Sequence, residues 1–191
     1  MAQQHIAGLY QLRGVMETAS GFKLNEDSTF EFYFSYGALD RYGSGTWKPD
    51  GNKIIFTGLP WPGKDFKLVS SSNRPGNDHI AVIMAKNTML LRYVYFELYH
   101  NGKAVQQVAD SKGFARFPKQ PFDSLSVQFE FTPERKSMFT SLAPNHNYFE
   151  FEFEPWLVEV FFDGFTLLFE NNTLKGKHPL LDEKDYVYEK E

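Results

Sequence analysis

Hydrolytic or metal chemistry needs paired carboxylates, grouped histidines or an activated serine, and the chain carries fragments of each. Glu150, Glu152 and Glu154 recur at every second residue. On an extended strand they would project from one face about 7 Å apart in succession, a spacing that could hold a cation or a basic partner. The alternating phenylalanines make the solvated side of an amphipathic strand the preferred reading. The five histidines, His5, His79, His100, His146 and His178, fall at termini, linkers or turns. No two sit at i, i+2 or i, i+4, so a metal site would have to draw its ligands from distant loops, and structural or solvated histidines with no metal are expected. Ser44 lies in Gly43-Ser44-Gly45, which is not the Gly-x-Ser-x-Gly elbow of a serine hydrolase. Asp110-Ser111-Lys112-Gly113 lacks the acidic series of a calcium loop.

The polar group with the most chemical potential is Arg13, Glu17, Ser20, Asp40 and Arg41, with Tyr36 at the head of the loop 36–42. If the first strands close into a barrel, these residues would converge at one rim. An Arg–Asp pair there either fixes the loop or clamps a ligand, since the guanidinium fork suits a carboxylate in both roles. Trp61, between Pro60 and Pro62, would cap the barrel mouth, anchor a partner or pack in the core. No motif calls for a cofactor.

The elements that must position these groups are β-strands. The 191 residues include 20 Phe, 10 Tyr and 3 Trp, a bias toward side chains that suit pleated, half-buried surfaces. Charged residues make up 23% and the net charge is −4, with no basic run of the kind that marks a nucleic-acid binder. No apolar run is long enough for a membrane-spanning helix. The absence of cysteine excludes disulfides, thiolate metal sites and cysteine nucleophiles. Residues 1–5 lack the charged-then-apolar pattern of an export leader. They suit either a native cytoplasmic start or an end left by cleavage.

Residues 24–47 carry the clearest fold signal: the end of one strand, a polar turn, an aromatic strand with Phe30, Phe32 and Phe34 on one face, and a strand closing on Gly45-Thr46-Trp47. Strands are expected at 8–16, 22–24, 30–34, 42–47 and 54–57, with Asp50-Gly51 as a hairpin turn. Residues 58–78 have loop composition, which places a boundary near residue 75. A second series, at 80–85, 93–99, 103–108, 114–117, 126–131 and 149–154, suits a small β-sandwich. After Pro155, strands at 158–162, 165–169, 173–175 and 186–190 follow, with turns at Asp163-Gly164 and Asn171-Asn172. Neither end series closes a barrel alone, but together they supply about eight or nine strands, the size of a small filled barrel. The expected fold is all-β: a small antiparallel barrel from residues 1–75 and 156–191, with a β-sandwich inserted at 76–155.

Gly8-Leu9-Tyr10, the step from Leu24 through a polar turn to Phe30, Gly45-Thr46-Trp47 and the strands between Leu174 and Tyr188 resemble the lipocalin-like (calycin-type) small barrels of uncharacterised bacterial proteins. Ala19-Ser20-Gly21 and residues 35–40 resemble signature pieces of one such family of exported proteins. The Asp110-x-x-Gly113-x-x-x-Phe117 turn is similar to that of transthyretin-like or carboxypeptidase-regulatory-like sandwiches. The resemblance implies a periplasmic or otherwise exported chain without an assigned activity. The expected function is therefore a non-enzymatic binding or interaction protein, whose partner is a protein or a small apolar ligand cupped in the barrel. A hydrolase using Asp40 or Glu17, or a structural part of a cell-envelope assembly, are the alternatives.

Overall fold

The computed structural model describes residues 5–37, 39–76 and 78–191. Its strands, in chain order, are β1 (Gly8–Leu12), β2 (Thr18–Leu24), β3 (Thr29–Tyr36), β4 (Leu39–Asp50), β5 (Lys53–Thr57), β6 (Phe66–Ser72), β7 (Asp78–Met84), β8 (Val94–His100), β9 (Lys103–Val108), β10 (Phe114–Pro118), β11 (Ser124–Phe129), β12 (Ser137–Phe139), β13 (Tyr148–Phe153), β14 (Asp163–Glu170), β15 (Thr173–Lys177) and β16 (Asp185–Lys190). One short 3₁₀ turn, Thr88–Tyr93, precedes β8. Among the described residues no helix is long and apolar enough to cross a membrane. Two compact units result: Met1–Trp61 with Val158–Glu191, and Pro62–Leu157.

The first unit is a closed eight-stranded antiparallel barrel in the order β1-β16-β15-β14-β5-β4-β3-β2. Neighbours in the barrel are neighbours in sequence except at the closing pair β1–β16 and at the step from β5 to β14, so it is an up-and-down meander with one long interruption. Alternation sets the lining: β3 buries Phe30, Phe32 and Phe34 and exposes Glu31. The turn between β14 and β15 takes Asn171 and Asn172 to φ 51° and 59°, the paired left-handed residues of a tight hairpin.

The barrel is filled rather than hollow. The Phe22 ring lies 4.7 Å from Phe56, 4.9 Å from Phe32 and 5.2 Å from Tyr188, centroid to centroid. Phe162 completes the packing, 5.1 Å from Phe30 and 5.4 Å from Phe32. Residues 158–162, expected as a strand, are instead a return segment held to β4 by a single parallel bridge, Tyr42 to Glu159. Val160 N donates to Tyr42 O at 2.7 Å and Gly58 N donates to Phe162 O at 2.8 Å. This explains Gly43: a Cβ there would stand 2.6 Å from both the Phe162 ring and the Val160 carbonyl. The expected turn at Asp163-Gly164 is a bulge inside β14, with Gly164 at φ 67°.

The second unit has two four-stranded sheets, β10-β7-β13-β6 and β12-β11-β8-β9. Their inner faces meet through Phe96 and Phe151 at 5.7 Å, Phe139 and Phe151 at 5.0 Å, and Phe129 and Phe153 at 5.6 Å. β13 runs parallel to β7 and antiparallel to β6. The boundary near residue 75 needs correction, because β6 belongs to this unit: Phe66 lies opposite Phe153 and Ser72 opposite Tyr148. A run of serines hides that strand, since its apolar positions stop at Val69 and the rest of its length is stabilised by backbone pairing. β12 likewise lies in a stretch whose composition reads as loop.

Candidate functional site

The polar residues expected at the barrel rim do not converge. Successive strand residues face opposite ways, and so Asp40 is exposed on the outside of β4 while Arg41 is buried inside. The Arg41 guanidinium donates to the carbonyls of Val158 at 3.5 Å and Glu159 at 3.2 Å, which fixes the return segment. Arg13 is exposed and pairs with Glu189 at 3.4 Å. Glu17 sits between β1 and β2 at φ 56° and is exposed. Tyr36 is 53% exposed at the end of β3. Trp61 is half-buried in the stretch after β5. Ser20 points to a buried polar side chain inside the barrel.

That partner is His178, which follows β15. Its Nε2 lies 3.0 Å from Ser20 Oγ, and its Nδ1 accepts from the backbone N–H of Leu180 at 2.9 Å and Leu181 at 3.2 Å. An Nδ1 that accepts twice cannot carry a proton, so the hydrogen is on Nε2 and is donated to Ser20. Ser20 Oγ donates onward to Tyr33 O at 2.9 Å. The polarity is opposite to that of a Ser–His nucleophile, where the histidine accepts from the serine, and the arrangement is a latch holding the 178–184 segment against β2. Phe32, Phe34, Tyr186 and Tyr188 surround the imidazole. The Tyr188 hydroxyl is buried with no hydrogen-bond partner among the described residues, and burial pushes its pKa up.

Burial lowers the His178 pKa from 6.5 to about 4. Between those values the unfolded chain binds a proton that the folded chain does not, so this stability is complete above pH 6.5 and is lost as pH falls toward 4. The expected loss is about 3 kcal/mol. His178→Asn keeps an acceptor near the Nδ1 position but cannot titrate. Urea unfolding of the two proteins from pH 7 to pH 4 should show a shallower decline in the variant, and parallel declines would contradict the latch.

The remaining histidines are dispersed. His79 lies in β7 rather than in a linker, with Nε2 2.8 Å from Gln120 O. His146 meets Ser71 and His100 meets Asp123. Among the described residues no three His, Asp or Glu side chains are grouped to hold a metal ion.

The second unit has a concave face that sequence reading missed. Pairing register puts Ile80, Val82 and Met84 of β7, Phe114 of β10, and Tyr148, Glu150 and Glu152 of β13 on the outward side of their sheet. Lys86, Asn87 and Leu90 continue over one end, leaving an open groove of about 890 Å³ lined by Val82, Met84, Leu90 and Phe114. Met84 is 48% exposed. Arg74 stacks on the Tyr148 ring at 3.1 Å and approaches Glu150 at 3.7 Å. The Ser70 hydroxyl also donates to Glu150, which lowers the Glu150 pKa. Glu150 and Glu152 thus flank an apolar floor instead of lining a wholly solvated face, while Glu154 lies past the end of β13 with its N–H bonded to Asp65 O at 2.9 Å. Comparison with protein-family models, curated proteins and solved structures finds no match for this chain.

Proposed function

We propose that the protein is a non-enzymatic binding protein whose barrel is a filled scaffold and whose ligand sits on the sandwich. The carrying observation is the open groove of about 890 Å³ on the β10-β7-β13-β6 sheet, within the size range of ligand clefts. Rings at van der Waals spacing around Phe22 argue against a ligand cup in the barrel, which moves the small apolar ligand from barrel to sandwich. The eight-strand meander supports a likeness to lipocalin-like barrels, and an exported bacterial origin rests on that resemblance alone.

Nile red, an uncharged apolar fluorophore, tests the groove independently of charge. One dye should bind per chain with a blue-shifted emission, and Met84→Glu should weaken binding about tenfold, since it places a charge against the apolar body. No binding, or binding that the variant leaves unchanged, contradicts the assignment.

A further inference from the structure

We infer that the groove takes an amphipathic anion: an apolar body carrying one carboxylate. This deepens the binding reading above and rests on it. The floor supplies the apolar half through Val82, Met84, Leu90 and Phe114. Methionine suits such a surface, because its unbranched, polarizable chain adapts to the shape laid on it.

The charged half comes from two lysines that the fold brings to one end. Ile83 N donates to Gly113 O at 2.9 Å, and this bond draws the turn before β10 alongside the end of β7. Lys112 and Lys86 therefore flank the same end of the groove, and both line it. Neither ammonium is in a salt bridge among the described residues. Asp110 is exposed beside Lys112 and Arg116 and feels the charge of both, and its carboxylate accepts the backbone N–H groups of Lys112 at 2.8 Å and Phe114 at 3.0 Å. On the opposite wall Glu150 is already engaged by Ser70 and Arg74. Arg74, Lys86, Lys112 and Arg116 stand against Asp110, Glu150 and Glu152, so the groove and its margin keep one positive charge in excess on a chain whose net charge is −4. A carboxylate at the lysine end would meet both ammoniums while its chain covers Met84 and Phe114.

Titration calorimetry of the full chain with decanoate, decylamine and decanol, each below its micelle concentration, tests this. Decanoate should bind one per chain and at least about tenfold more tightly than decylamine. Lys86→Gln with Lys112→Gln, both exposed substitutions, should remove that preference while leaving Nile red binding intact. Equal binding of the three ligands, or a preference that survives the double variant, overturns the anionic assignment and leaves the groove standing. If neither Nile red nor any of the three ligands binds, the groove reading falls as well.

Discussion

Replacing Phe22 with alanine should lower the unfolding free energy of the barrel unit by about 3–5 kcal/mol, the range for a fully buried phenylalanine. Phe22 is the hub of the filled interior, with ring contacts to Phe30, Phe32, Phe56, Phe162, Phe165 and Tyr188. These rings come from β2, β3, β5, β14, β16 and the return segment. A closed barrel cannot bring its walls together to fill the space left behind, so the cavity cost adds to the lost transfer energy. Trp47, whose Nε1 donates to Asn25 O at 3.1 Å, reports on this unit in a W61F/W156F background. A urea midpoint shift equivalent to less than about 1 kcal/mol would mean that the interior is hollow.

Asp65→Ala should have a comparable effect on the second unit. Asp65 Oδ2 accepts from Arg135 Nε at 2.7 Å, and the two side chains are 2% and 7% exposed. Removing Asp65 takes away a carboxylate bonded directly to a buried guanidinium, and breaking a buried pair in this way costs about 3–5 kcal/mol. Arg135 Nη2 still donates to Leu157 O, which keeps the guanidinium in place and makes the missing charge the dominant loss. Replacing both residues together with apolar ones of similar volume should cost less than the single change, because burying an ion pair carries a large desolvation penalty of its own. Unfolding followed by Trp156 in a W47F/W61F background separates the two. A double variant no better than the single one would show that the pair's hydrogen bonds, rather than its charge balance, sustain this region.

The strands that alternate cleanly are legible in the sequence. Phe30, Phe32 and Phe34 turn inward, and the Asn171-Asn172 turn forms where its residue types place it. The sequence loses its voice where backbone pairing outweighs side-chain pattern. β6 ends in three serines and survives as a strand because β13 lies beside it. Residues 158–162 look like a strand but spend their apolar residues on plugging the barrel. The polar rim failed for a related reason: Asp40 and Arg41 are adjacent in sequence and so point to opposite sides of β4. His178 and Ser20 lie on segments joined only through barrel closure, and no spacing rule could have paired them. The groove was hidden because its floor comes from β7, β10 and the 3₁₀ turn and its lysines from the short connections beside them, with only its acidic side on β13.

The segments that lead into and out of the second unit run side by side. Trp156 Nε1 donates to Lys64 O at 2.8 Å, Glu154 N donates to Asp65 O at 2.9 Å, and Arg135 bonds both Asp65 and Leu157. For the rest of the chain this clasp turns a very long connection between β5 and β14 into a short one. Joining the ends of a disordered loop of roughly 100 residues costs on the order of 4 kcal/mol in chain entropy. A folded insert with clasped ends has already lost that entropy through its own folding. The order of events during synthesis follows from this. The first five barrel strands are expected to emerge early without closing, the insert to fold and bring its two ends together, and β14–β16 then to complete a barrel in which the pairing of β14 with β5 has become local.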